Sequence, residues 1–190
     1  MPDRAEGFTL IELMVTIAIL AILVAVAAPS IDRSIRQNRI DADTEKFQTA
    51  ISYARSEADK RAATVSIVPS AAGWRGGWRI ITDDGATNPN CALDAAQGEV
   101  TLRVQDQLSA TSDVLFAAAP ASAAAGITCA AAMAGPPACL SFNKDRATVL
   151  PTGAFLAATL CVRDVSTPTT LFRALTINST GQPYLSKVQN

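Results

Sequence analysis

Two kinds of residue in this chain could do chemistry: one carboxylate set inside an apolar run, and four cysteines. Glu12 is the only charged residue between Phe8 and Ala28, a stretch whose other polar groups are Thr9 and Thr16. A lone carboxylate near the start of a lipid-facing helix costs on the order of a few kcal/mol, so it either snorkels to the interface or finds a partner. Lys and Arg are absent between Arg4 and Arg33. That leaves another molecule, lipid headgroups or an amine made by processing as the expected partner. The cysteines, Cys91, Cys129, Cys139 and Cys161, all lie beyond the apolar run. An even count in a domain delivered outside the cytoplasm reads as two disulfides, with three connectivities open. A metal site is the weaker alternative, since there is no CxxC pair and no histidine.

The missing histidine also removes Ser-His-Asp and Cys-His nucleophile pairs, and with them most hydrolase readings. Serines without such a base have no activator, and the Asp83-Asp84 pair reads as a turn former. Walker-type and dinucleotide-binding glycine patterns are absent as well. The chain is expected to be no enzyme and to hold no cofactor and no metal. Sixteen basic against seventeen acidic groups give a formal charge of -1. No global excess draws it to nucleic acid.

The elements that position these residues follow from the distribution of apolar groups. In 190 residues, 49% are hydrophobic but only 17% charged, and the apolar residues are concentrated at the N-terminus. Phe8 to Ala28 would form about 31 Å of helix, enough to cross a hydrocarbon core. A secretory signal peptide would have a basic start, a shorter run and a small-x-small cleavage site. After Pro29 the helical register continues to about Ala62, with Phe47, Ile51, Ala54 and Ala58 on one face. Seven basic and six acidic residues occupy the rest of that helix and read as a solvated face with internal pairs. Pro29 removes one helical hydrogen bond and should kink or locally melt the helix.

Gly7-Phe8-Thr9-Leu10-Ile11-Glu12-Leu13, the apolar run and Pro29 closely resemble the class III signal of type IV pilins and type II secretion pseudopilins. That resemblance implies that a prepilin peptidase cuts between Gly7 and Phe8 and methylates the new Phe8 amine. It further implies that Glu12 pairs with the Phe8 amine of a neighbouring subunit, and that Pro29 marks a segment that unwinds when the subunit joins a filament. The leader departs from the usual basic pattern, carrying Asp3 and Glu6 against Arg4, which weakens orientation by the positive-inside rule. Its removal leaves fifteen basic and fifteen acidic side chains, a formal charge of zero.

Beyond Thr64 the pattern changes to short β-like runs: Val65–Val68, Trp78–Thr82, Val100–Gln105, Val114–Ala117, Leu140–Phe142, Leu160–Arg163 and Ala174–Ile177. Seven strands behind one long helix predict an α+β fold, the helix covering an antiparallel β-sheet head. Trp74-Arg75-Gly76-Gly77-Trp78-Arg79-Ile80-Ile81 with Asp83, and Arg173 to Gln182, resemble the head of the GspH/FimT group of minor pilins and pseudopilins. The two indoles flank a Gly-Gly step that reads as a turn, and they are expected to plug a core. Residues 117–134 hold eleven alanines and could form a helix, but the prolines and glycines around them favour a surface loop.

The domain organisation expected is a leader at 1–7, a transmembrane and filament-core helix at 8–28, an amphipathic helix at 29–62 and a head at 63–190. The resemblance implies the pilin fold, a single-pass inner-membrane protein with a periplasmic head, and later a place in a pilus or pseudopilus. Its implied partners are other pilins through the N-terminal helix, the prepilin peptidase and the inner-membrane assembly platform. A minor pilin of a tip or priming complex is the leading reading, and a type II secretion pseudopilin of the GspH type the alternative. DNA binding by FimT-like members uses basic residues near the C-terminus; here the last thirty-one residues offer Arg163, Arg173 and Lys187 against Asp164, a thin footprint for phosphates. Intact-mass analysis of the protein purified from membranes is expected to give a chain that begins at a methylated Phe8. A mature N-terminus at any other residue would contradict the processing reading.

Overall fold

The computed structural model describes residues 7–83, 90–118, 137–143, 147–149, 158–166, 171–178 and 181–186. One helix, α1, runs over Leu10–Arg61. Nine strands follow: β1 (Val65–Ser70), β2 (Gly73–Thr82), β3 (Thr101–Gln105), β4 (Ser112–Ala118), β5 (Leu140–Phe142), β6 (Ala147–Val149), β7 (Ala158–Asp164), β8 (Phe172–Ile177) and β9 (Pro183–Ser186). They form a five-stranded sheet of order β3-β2-β1-β5-β6 and a four-stranded sheet of order β4-β7-β8-β9. All the pairings are antiparallel. The chain divides into two compact units, Met1–Asn38 and Arg39–Asn190.

In the second unit the helical face predicted by spacing is the one that packs. Phe47, Ile51, Ala54 and Ala58 are fully buried, and Ile40 joins them at the start. Their apolar surface meets Ile67, Trp78 and Ile80 of the first sheet and Val114, Phe116, Leu160 and Leu175 of the second in one core. Trp74 and Trp78 are core residues as expected: Phe47 stacks on Trp78 at 4.1 Å between centroids, and Trp74 lies 5.0 Å from Phe116. The Trp74 indole N–H donates to the Pro137 carbonyl at 3.1 Å, satisfying its one polar group.

The Gly76-Gly77 step is not a turn. It lies inside β2, where the register against β1 jumps from Pro69↔Trp78 to Ser70↔Gly73, so four residues loop out of the ladder. Gly77 has φ +93°, and a Cβ there would stand 2.3 Å from the Gln105 carbonyl of β3. Glycine is required by that backbone approach. The hairpin turn itself is Ala71–Ala72, ahead of Gly73.

All seven predicted strands are present. β6 and β9 were not predicted, since three residues and a proline-led tetrapeptide carry no period-two signal. The helix ends because Ala62 turns to φ +51° and the Ala63 N–H donates to the Ala58 carbonyl at 3.3 Å, a Schellman-type stop without the usual glycine. Ala117 and Ala118 close β4; the remainder of the alanine-rich stretch lies outside the described residues.

Cys91 and Cys139 form a disulfide with Cα atoms 5.5 Å apart. Cys161, buried in β7, is also disulfide-bonded, and Cys129 lies outside the described residues. Non-reducing peptide mapping is expected to find Cys91 with Cys139, and by elimination Cys161 with Cys129. Any cross-pairing between those two sets would contradict this connectivity.

Candidate functional site

The first site is the start of α1. The Thr9 N–H donates to Glu12 Oε2 at 2.9 Å, the Thr9 hydroxyl to the same oxygen at 2.8 Å, and the Glu12 N–H back to Thr9 Oγ1 at 3.3 Å. This is a capping box, with Thr9 as N-cap and Glu12 three residues on. Uncharged donors of its own helix end thus hold Glu12 within the subunit, an arrangement that supplies hydrogen bonds but no opposite charge. Thr9-x-x-Glu12 is a capping signature already present in the sequence, and it gives Thr9 a role that the apolar run alone does not suggest.

Around this cap the helix is apolar and uncovered. An eighteen-residue window of α1 has mean hydropathy 2.8 and none of it is buried within the protein. Phe8 is 87% exposed. Among the described residues a methyl group at Gly7 would touch nothing within 4 Å. Pro29 does not melt the helix: α1 is continuous through it, and the Ser30 hydroxyl donates to the Ala27 carbonyl at 2.8 Å. One missing N–H is too small a loss to end a helix of 52 residues with good helix formers on both sides.

The second site is the grip on the helix in the second unit; it revises the solvated charged face at Asp41 and Asp43, while internal pairs of the expected kind stand at Asp32–Arg36 and Glu57–Lys60/Arg61. Asp43 is fully buried. Its carboxylate accepts from Lys46 Nζ at 2.7 Å, the Ser112 hydroxyl at 2.6 Å and the Ser109 N–H at 3.1 Å. Burial pushes this carboxyl up, but the donors of Lys46, Ser112 and Ser109 together outweigh it and hold its pKa below the ordinary aspartate value. Asp41 pairs with Arg173 of β8, which raises the arginine's pKa further. Glu57, nearly buried, takes Lys60 at 3.1 Å and Arg61 at 2.9 Å. Helical periodicity marks which residues face outward. It does not show that flanking loops reach round to meet them.

The arginines considered for DNA are engaged elsewhere. Arg163 donates to Asp113 at 2.9 Å and Arg173 to Asp41, while Lys187 lies outside the described residues. Among the described residues no cluster of three or more His, Cys, Asp or Glu could hold a metal ion.

A capped, uncovered apolar helix of membrane-spanning length that continues into an antiparallel β head defines the pilin class of fold. Residues 43–181 match the family described as "Type II transport protein GspH", and residues 3–28 match the prokaryotic N-terminal methylation motif. The chain belongs to the GspH family of minor pilins and pseudopilins. It is 33% identical over 113 residues to "Prepilin peptidase-dependent protein D" of Escherichia coli strain K12, covering 60% of this chain and 73% of that one. The crystal structure of the type IV minor pilin FimU of Pseudomonas aeruginosa shares the fold, with TM-score 0.51 and 18% identity over 79% of this chain and 90% of that one.

The buried Asp43 pin generates a pH prediction. Its folded pKa is depressed, so its contribution is complete above about pH 4, the unfolded value, and fades as pH falls through the lower folded value. Asp43→Ala should cost about 2–4 kcal/mol in denaturant unfolding at neutral pH, because Ser109, Ser112 and Lys46 lose their acceptor. Below about pH 4 the difference from wild type should shrink. A difference that is constant across this range would contradict the assignment.

Proposed function

We propose that this protein is a minor pilin, cut by a prepilin peptidase between Gly7 and Phe8, methylated on the Phe8 amine, and built into the tip or priming complex of a type IV pilus. The observation that carries the reading is Glu12, held at the first turn of an uncovered apolar helix directly behind the processing motif. Before assembly the subunit is held in the inner membrane with its head in the periplasm, where the disulfides form. Other pilins and the inner-membrane assembly platform are its partners.

Glu12 then has two successive partners. In the membrane the Thr9 cap satisfies it. In the filament core the Phe8 ammonium of a neighbour takes it over, and a register that fails to pair them leaves a buried charge costing about 3–5 kcal/mol. The pair therefore acts as a register check. The work of the chain is structural, and no catalytic role is assigned to any residue.

The family description favours a second reading, a type II secretion pseudopilin of the GspH type. Deleting the gene separates the two: loss of surface filaments supports the pilus reading, and loss of exoprotein release supports secretion. DNA uptake is disfavoured by the two C-terminal arginines bound to Asp41 and Asp113.

Glu12→Ala should still be cleaved and methylated but fail to support normal filament assembly. Unimpaired piliation and secretion in that strain would sink the mechanism.

A further inference from the structure

Another carboxylate is fully buried in the head, on a strand end and not on the helix, and the contacts described above do not involve it. Asp83 follows β2 and is fully buried. Its Oδ2 accepts the Ser66 hydroxyl at 2.7 Å and the Cys91 N–H at 3.2 Å, and its Oδ1 accepts the Asn90 N–H at 3.2 Å. These donors are neutral, two of them successive backbone amides, and Cys91 is held at φ +60°. Successive N–H groups around a left-handed residue make an anion-binding concavity. Here the anion is the chain's own side chain.

The same network reaches the other cysteine. Ser66 Oγ lies 2.7 Å from Ser141 Oγ, which lies 3.3 Å from Cys139 Sγ, and all of these are buried. Ser66↔Ser141 are register partners of β1 and β5. One carboxylate thus fixes the backbone of Cys91 and, through two hydroxyls, stands beside Cys139. The joined sulfurs cover Val68 and Ile81 on the outer face of the five-stranded sheet.

We infer that Asp83 is the positioning residue that selects Cys91 and Cys139 as partners during oxidation, ahead of the other pairings that four cysteines allow. The nest draws Cys91 into an otherwise disfavoured left-handed conformation beside Cys139 while both are still thiols. Oxidation then forms the Cys91 Sγ–Cys139 Sγ bond, and two protons and two electrons pass to a disulfide oxidant, which leaves as two thiols. This inference is independent of the filament reading and would hold in a pilin or a pseudopilin alike.

The test uses the full-length chain in detergent, reduced without denaturant and equilibrated with mixtures of reduced and oxidised glutathione. Acid quenching, alkylation and peptide mapping then give the effective concentration of the Cys91–Cys139 pair. Asp83→Ala should lower that value by about tenfold or more, since charge-assisted hydrogen bonds are lost. Linkages to Cys129 or Cys161 should appear in its place. Asp83→Asn, which keeps one acceptor oxygen, should fall between. In concentrated urea, where no nest exists, all variants should agree with wild type. If Asp83→Ala does not hold its fold when reduced, Ser66→Ala replaces it, with an expected loss of about threefold or more. A folded Asp83→Ala, or Ser66→Ala in its place, within twofold of wild type would overturn the inference. So would a difference that persists in urea.

Discussion

The constraint on which the chain depends is that one carboxylate must never be left alone in an apolar environment. Glu12 sits in the first turn of a helix with no basic residue from position 5 to position 32. The capping box is the local solution, satisfying the carboxylate and two orphan amides of the helix end together. The cap supplies hydrogen bonds from Thr9 but no opposite charge. That difference leaves Glu12 hydrogen-bonded within the subunit but without a charge partner there, which is the opening the proposed pairing with a neighbour's Phe8 amine would use.

The head solves a related problem with the opposite outcome. Asp43 and Asp83, unlike Glu12, are buried, and Asp43 takes two of its donors from Ser109 and Ser112, more than sixty residues away. Asp43 ties the amphipathic half of the helix to the Ser109–Ser112 segment, and Asp41 ties it to β8 through Arg173. Satisfied buried carboxylates of this kind fix one arrangement more than they add stability. Asp43 thus holds the helix to the Ser109–Ser112 segment and Asp83 holds the Cys91 turn, while Glu12 is the group for which an exchange of partners is proposed.

What was legible in the sequence was what periodicity and short motifs encode. The apolar run, the core face through Phe47, Ile51, Ala54 and Ala58, the seven strands and the processing motif all depend on neighbours in sequence or on regular spacing. What was missed depends on contacts between distant segments. Asp43 looked like one of thirteen charges on an exposed face because its acceptor role is set by Ser109 and Ser112, more than sixty residues away. The Gly76-Gly77 step looked like a turn because a glycine pair signals positive φ without saying whether a turn or a neighbouring strand demands it. At Pro29 the sequence shows the cost of one missing N–H, which points to a kink or local melting, but not the length of good helix formers on both sides that keeps α1 continuous. Thr9 differs from these, since Thr9-x-x-Glu12 is a local capping signature present in the sequence itself.

The two roles of Glu12 can be separated by one substitution. Glutamine also serves as the third residue of a capping box but carries no charge, so Glu12→Gln keeps the helix start and removes only the ion pair. The measurement is the amount of this subunit, relative to wild type, that co-purifies with sheared filaments, alongside intact mass of the membrane pool. The account predicts normal cleavage and methylation in the membrane and loss of the subunit from filaments. Glu12→Gln recovered in filaments at the wild-type level would contradict it.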